Sequence, residues 1–295
     1  MSITRVALLY NPIAGRGRSV EIARRFQSLL LENRVAVCLA ETLPNGQSPL
    51  TAEIAAAEVI CIAGGDGTLL RLIPQLSEWA KPIWLIPTGG ECLAARRFGM
   101  TAEPTQLLNA LKKQQRSERL LAEASDRPFF SMTSFGLDAE TIALLSKQRT
   151  SKLSRFGYVL PTLRAALTFS NAKLSVSADG KKVIDEESGY FIVANGSEYA
   201  GGISFVPEAS GAHSENPLLC ARFFPNAGIF RNIEWIFDFL LGFKVNLAGT
   251  RFFRANEYLV TSASHSIAFQ ADGEHLGETP VTIRRSSKRL QFLLP

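Results

Sequence analysis

The sequence predicts an α/β domain built on a parallel sheet, followed by a mostly antiparallel, β-rich domain. Three observations carry this. Apolar runs alternate with helix-period segments from Val6 to Ile86, the pattern of strands covered on both faces by helices. Strand-like stretches predominate beyond about Ser117. Asp179-Gly180 and Asp272-Gly273 punctuate those stretches as hairpin turns do. The change of pattern near Ser117 to Asp126 divides the chain into 1–122 and 123–295, with the last strand free to return to the first domain.

In chain order, Val6-Ala7-Leu8-Leu9-Tyr10 reads as a buried strand ending in the glycine-rich turn Asn11-Pro12-Ile13-Ala14-Gly15-Arg16-Gly17. A helix follows over residues 19–32, with Ile22, Phe26, Leu29 and Leu30 as its apolar stripe. Residues 35–39 form a second strand ending near Glu41-Thr42, and residues 48–57 a short alanine-rich helix. Strands three and four are 59–63 and 83–86. Between them Leu69, Leu72, Ile73 and Leu76 recur at helical spacing, with Thr68 where an N-cap hydroxyl belongs. Pro74 lies inside that pattern, so the helix is expected to be short or kinked there. The second domain offers strands at 129–135, 172–178, 189–194, 218–224, 258–261, 266–270 and 281–284. Helices are expected around 137–146, 156–167 and 229–241.

Composition narrows the function classes. A chain of 295 residues with 20% charged residues is an ordinary folded protein with material for a good core. A formal net charge of +5 is a weak attraction to phosphates or anionic lipid, not a nucleic-acid footprint. Cys38, Cys61, Cys92 and Cys220 are widely spaced without a CxxC pair, which fits free buried thiols in a reducing compartment. The N-terminus runs straight into a strand with no secretory signal, and no apolar run nears the roughly 20 residues that span a bilayer. The expectation is a cytoplasmic protein.

The chemistry concentrates at Ala63-Gly64-Gly65-Asp66-Gly67-Thr68, between a buried strand and a helix. Its glycines let backbone approach a ligand closely, and a helix start offers N–H groups and positive dipole to an anion. Asp66 would repel a phosphate, so it makes better sense holding a metal ion or polarising a hydroxyl. Asn11, Thr42, Asp66 and the turn Pro87-Thr88-Gly89-Gly90 all fall at the carboxyl ends of the strands, where such folds bind ligands. Together these residues point to a nucleotide site for phosphoryl transfer.

Nearly end to end, the chain resembles the diacylglycerol kinase catalytic-domain family, which includes bacterial lipid kinases and sphingosine kinases. Asn11-Pro12 with Gly15 resembles its first glycine turn, and Gly64-Gly65-Asp66-Gly67-Thr68 is its defining motif. Ser134-Phe135-Gly136-Leu137-Asp138-Ala139-Glu140 resembles the opening of its second domain. Asn195-Gly196, Gly201-Gly202 and Pro207-Glu208-Ala209 are similar to a further stretch. Asp272-Gly273-Glu274 and the final Pro295 resemble its C-terminus.

The resemblance implies transfer of the ATP γ-phosphate to a lipid hydroxyl, with Mg²⁺. It implies that Asn11, Pro12, Gly15, Thr42, Gly64, Gly65, Gly67, Thr68, Gly89 and Gly90 hold the nucleotide. Glu274 would serve as general base, and Asp66 would orient the hydroxyl or bind Mg²⁺. It also implies a lipid substrate, with transient contact at a membrane surface.

Departures from the family pattern keep other readings open. Where the family shows Gly-Thr-x-Asn-Asp, the chain has Gly89-Gly90-Glu91-Cys92-Leu93, and Leu93 cannot ligand a metal. Asn216-Pro217 stands where many bacterial members carry an Asp-Gly pair that helps bind a structural Mg²⁺, and Asn brings no charge. Ala14 replaces a frequent serine. A degenerate relative that binds nucleotide or lipid without transfer, and a protein like the related NAD kinases, are therefore alternatives. The segment 229–241 reads as a core helix or as an interfacial one. Lys147, Arg149, Lys152 and Arg155 read as a solvated surface or as a contact for anionic headgroups.

Overall fold

The computed structural model describes residues 3–43, 46–49, 51–89, 92–136, 139, 173–196, 218–226, 248–263 and 265–295, and the backbone of 198–199 and 203–204. The helices expected around 137–146, 156–167 and 229–241, the basic residues 147–155, and Gly90, Glu91 and Asn216-Pro217 lie outside the described residues. The chain forms two compact units, Met1–Leu121 with Ser286–Pro295, and Ala122–Arg285.

The first unit opens with β1 (Arg5–Tyr10), a tight turn at Ala14–Gly17, α1 (Arg18–Glu32) and β2 (Ala36–Glu41). There follow α2 (Ala52–Ala55), β3 (Val59–Gly64), α3 (Asp66–Trp79), β4 (Pro82–Pro87), α4 (Leu93–Arg97) and α5 (Pro104–Lys113). β1 pairs in parallel with β2 on one side and with β3 on the other, and β3 pairs in parallel with β4. Every residue of β3 is buried, as the uncharged runs require of a sheet covered on both faces. On α1 the buried residues are Ser19, Ala23, Phe26 and Leu30. Ile22 and Leu29 of the expected stripe flank that seam, half-buried.

Several expectations change here. α2 is confined to Ala52–Ala55, because the Thr51 hydroxyl accepts the Ile54 N–H and starts the helix there. Ser48 is instead tied to Gln75, whose side chain accepts the Ser48 N–H and donates to the Ser48 carbonyl. α3 runs unbroken through Pro74. Pro74 is exposed, so its ring lies on the side of the helix where water can satisfy the carbonyl it frees.

The second unit holds β5 (Arg116–Ala124, entering from the first unit), β6 (Arg127–Phe129), β7 (Met132–Phe135), β8 (Lys173–Ala178) and β9 (Lys181–Ala194). The short pair β10 (Glu198–Tyr199) and β11 (Ile203–Ser204) precedes β12 (Leu219–Pro225), β13 (Arg251–Ala255) and β14 (Glu257–Thr261). β15 (Ala268–Ala271), β16 (Glu274–Glu278) and β17 (Val281–Leu293) complete the chain. Pairing is antiparallel throughout the second unit, and both Asp-Gly turns close hairpins, β8–β9 and β15–β16. Phe129, Phe135, Phe191, Phe223, Tyr258 and Phe269 build its core, with Phe135 stacked on Phe269 at 5.7 Å. β17 is far longer than the expected 281–284: its start pairs with β14, and Gln291 and Phe292 pair in parallel with Pro82 and Ile83 of β4.

The single strand expected over 129–135 is two strands. Between β6 and β7 the N–H groups of Phe130, Ser131 and Met132 all donate to the Asp272 carboxylate instead of to a neighbouring strand. A segment whose donors converge on one side chain cannot keep a ladder, and the strand breaks there.

Candidate active site

In the first unit the sheet order reverses at β1, which has β2 on one side and β3 on the other. A crevice opens at the carboxyl ends of neighbouring strands where this happens. Asn11 follows β1 at that point and ties the two strand ends together. Its N–H donates to the Ala63 carbonyl at 3.1 Å, and its Nδ2 donates to the Thr68 hydroxyl at 3.0 Å. Its Oδ1 accepts the Ile13 N–H at 3.3 Å, an Asx turn that starts the loop. The Ser19 hydroxyl donates to the Asn11 carbonyl.

Thr68 is not the helix cap. Gly65 holds that position in extended conformation, α3 begins at Asp66, and the buried Thr68 hydroxyl faces Asn11. The extra turn forms because Gly65 can act as N-cap without a side chain, its carbonyl accepting the Thr68 and Leu69 N–H groups.

The glycines divide by what surrounds them. Gly15 has φ +59°, and a Cβ on it would stand 2.1 Å from the Thr88 carbonyl oxygen. Only glycine fits there. A Cβ on Gly64 would stand 2.6 Å from the Thr68 hydroxyl oxygen. Around Gly65 and Gly89, in contrast, a Cβ would meet nothing within 4 Å. These two positions border open space at the strand ends. Gly67 lies in the first turn of α3, and Pro12 is half-buried in the β1 turn. Thr42 is buried after β2, its N–H donating to the Tyr10 carbonyl at 2.9 Å. Beside it the Tyr10 hydroxyl donates to Glu41 at 3.3 Å, and burial pushes that phenol's pKa up. The Thr88 hydroxyl is buried with no hydrogen-bond partner among the described residues.

Asp66 is held from the neighbouring turn. Its carboxylate oxygens accept the N–H groups of Leu93 at 2.8 Å and Ala94 at 2.9 Å, the first two residues of α4. α4 has Cys92 before it and no capping side chain of its own, so Asp66 supplies the missing cap from α3. Cys92 is buried with its Sγ 3.9 Å from the Asp66 carboxylate, and burial followed by that charge pushes its thiol pKa up to about 12. Where the family expects Asp, Leu93 thus acts through its backbone N–H, and where it expects Asn, Cys92 meets Asp66 through its thiol. One sequence signal points to this: Leu93-Ala94-Ala95-Arg96-Arg97 is a helical stretch with no Ser, Thr, Asp or Asn just before it.

In the second unit Glu274 is the first residue of β16, half-buried and paired with Ala271 across the hairpin. The turn before it is anchored by Asp272 and Gln270. The Gln270 side chain accepts the Gly273 N–H at 2.9 Å and donates to the Ser134 hydroxyl at 2.6 Å. Asn195 is buried, its Nδ2 donating to the Phe130 carbonyl at 3.0 Å and its Oδ1 accepting from Arg285. His265 and His275 are both exposed, His275 beside Glu274. All four cysteines are free, and Cys38 departs from the expected burial by being half-exposed on the sheet-edge strand β2. No group of three or more His, Cys, Asp or Glu fit to hold a metal occurs among the described residues.

A parallel α/β unit with glycine turns at its switch point, followed by an antiparallel β unit, is the class of fold that diacylglycerol kinase-like and NAD kinase-like proteins share. Residues 5–123 match the model of the diacylglycerol kinase catalytic domain, and residues 131–294 that of the YegS C-terminal NAD kinase beta sandwich-like domain. The two matches span nearly the whole chain, which carries a diacylglycerol kinase catalytic domain followed by a domain of the YegS C-terminal family. No curated protein matches it. Among solved structures, a diacylglycerol kinase from Bacillus anthracis is similar with a TM-score of 0.67 at 16% identity, covering 100% of this chain and 98% of its own. A candidate diacylglycerol kinase from the same organism reaches 0.74 at 20% identity, with 100% and 98% covered. An NAD kinase from Archaeoglobus fulgidus in complex with ATP reaches 0.54 at 19% identity, with 98% and 93% covered. At these identities the structures establish the shared fold.

Proposed function

We propose that the protein is an ATP-dependent lipid kinase that phosphorylates a hydroxyl of diacylglycerol, a sphingoid base or a similar amphiphile. The observation that carries this reading is the switch point itself. Asn11 ties the end of β1 to β3 through Ala63 and to the first turn of α3 through Thr68, while Gly65 and Gly89 leave open space beside them. Open space lined by glycine backbone next to a helix start suits a polyphosphate. The residues that would hold it are Asn11, Pro12, Gly15, Thr42, Gly64, Gly65, Gly67 and Thr68, with Gly89 and Gly90 from the fourth turn.

ATP supplies the phosphoryl group in this reading. Phosphoryl transfer is mostly positioning and charge neutralisation, so ordered backbone donors and one base suffice from the protein. Glu274 is assigned the base: its carboxylate accepts the proton of the lipid hydroxyl as that oxygen becomes the nucleophile. Asp66 keeps the Gly89 turn in place through Leu93 and Ala94, which fits a carboxylate surviving in an anion-binding loop. Mg²⁺ would be carried by the nucleotide's phosphates with at most one or two protein carboxylates, and Asp66 is the carboxylate of the loop. A lipid acceptor requires transient contact with a membrane surface, and no helix among the described residues is long and apolar enough to cross one.

Incubating the protein with labelled ATP, Mg²⁺ and a lipid panel tests this directly. Labelled phospholipid that disappears in Glu274→Gln supports it, and no product from any lipid defeats it. The replacement of the family's Asn-Asp by Cys92-Leu93 favours a second reading, a nucleotide or lipid binder without transfer. Under that reading a bound ligand still raises the melting temperature, because it stabilises only the folded state. Phosphorylation of NAD by the purified protein would move the assignment to an NAD kinase.

A further inference from the structure

The backbone between β6 and β7 has an unusual set of partners. The N–H groups of Phe130, Ser131 and Met132 donate to Asp272, those of Ser131 and Met132 at 2.8 and 3.0 Å. The Asp272 N–H returns a bond to the Met132 carbonyl at 3.0 Å. Asn195 takes the two remaining carbonyls, its Nδ2 donating to Phe130 at 3.0 Å and its N–H to Ser131 at 2.7 Å. Two side chains and their own backbones thus account for every backbone donor and acceptor of residues 130–132. Arg285 holds Asn195 in turn, donating to its Oδ1 and, at 3.0 Å, to the Leu218 carbonyl.

We infer that Asp272, with Asn195 behind it, is a positioning residue for Glu274. This rests on the assignment of Glu274 as base. Asp272 stands two residues before Glu274 in a turn with left-handed backbone at both Asp272 (φ +48°) and Gly273 (φ +85°). Without its carboxylate, three N–H groups of a part-buried bend lose a charged acceptor together. The backbone bond from Asp272 to Met132, the Gln270 contacts to Ser134 and Gly273, and the ladder remain, but none of them offers a charged acceptor to the bend. The chemistry depends on where the Glu274 carboxylate stands, and a displacement of about 1 Å at a catalytic group can cost roughly a hundredfold. Asp272 does not take the proton. It fixes the group that does.

The test is a double-mutant cycle on the full chain. Asp272→Asn keeps the size but offers one neutral acceptor and turns an NH₂ group toward the bend. The expected result is a fall in kcat of roughly tenfold or more, with KM for ATP within about threefold, and faster hydrogen exchange at Phe130–Met132. Added to Glu274→Gln, the same change has little further effect, since it acts through the group already removed. The Glu274 carboxyl carbon resonance also moves in Asp272→Asn. If that variant fails to fold, Asn195→Asp is used instead: it keeps the oxygen that meets Arg285 and removes the donor to Phe130. Wild-type kcat in the single variant, a full additional loss in the double variant, or an unmoved Glu274 resonance each overturns the inference. If the wild type transfers no phosphate to any lipid, the lipid-kinase reading falls on its own, and the Glu274 resonance still decides the positioning.

Discussion

The Asp66 carboxylate, on the first residue of α3, accepts the N–H of Leu93, the first residue of α4, at 2.8 Å. A charge that would oppose phosphate in the glycine loop is thereby directed at another helix start. It orders the turn in which the family's Asn and Asp side chains are replaced by Cys92 and Leu93. This contact and the glycine packing around it lead to four predictions.

Asp66→Ala removes the cap of α4 and leaves the Leu93 and Ala94 N–H groups without this acceptor. Loss of a helix cap costs about 1–2 kcal/mol, so the urea midpoint should fall accordingly. Asp66→Asn should lose less, since its remaining oxygen still accepts. An unchanged midpoint in Asp66→Ala would mean that the contact contributes nothing to the fold.

The glycines of the site should not respond alike to alanine. Gly15→Ala drives a Cβ to 2.1 Å from the Thr88 carbonyl, and Gly64→Ala to 2.6 Å from the Thr68 hydroxyl. Each is expected to destabilise by more than about 1 kcal/mol, Gly15→Ala the more for its left-handed backbone. Gly65→Ala meets open space at a normal φ of −109°, so its stability stays within about 0.5 kcal/mol. Its effect should appear in nucleotide affinity, read by calorimetry. Equal loss of stability in all three variants would contradict this packing.

Asn11→Ala breaks the bond to Thr68 that joins the end of β1 to the first turn of α3. A side-chain hydrogen bond of this kind contributes about 1 kcal/mol, readable as a lower melting temperature. ATP should protect this variant less than the wild type. Equal ATP-induced shifts would place the nucleotide elsewhere.

Cys92 gives an alkaline signature. Its folded thiol pKa is raised from 9.0 to about 12 by burial and by Asp66. A pKa raised on folding stabilises the protein below the unfolded value, and that contribution is lost as the pH climbs toward the folded one. Stability should therefore decline between about pH 9 and 12, and Cys92→Ala should remove part of the decline. At pH 8 iodoacetamide should reach the half-exposed Cys38 before the buried Cys92. Denaturant midpoints from pH 8.5 upward compare the two proteins, and parallel curves would show that Cys92 does not titrate on unfolding.

The sequence by itself determined the class of fold and the place of the loop. Short uncharged runs such as 59–63, followed at once by glycines, read as strands buried on both faces, and Asp-Gly at 179–180 and 272–273 suits tight turns. Those signals are local, carried by neighbouring residues. What tertiary structure decided is where single side chains found partners far along the chain. Asp66 meets residues 27 and 28 positions away, Asp272 breaks a strand 140 to 142 positions before it, and Thr68 faces Asn11 rather than its own helix. α3 continues through Pro74 because a proline's effect on a helix depends on whether the carbonyl it frees points to water or to the core. A polar group's hydrogen-bonding capacity is written in its residue type, but its partner is set by which distant backbone the fold leaves unpaired beside it.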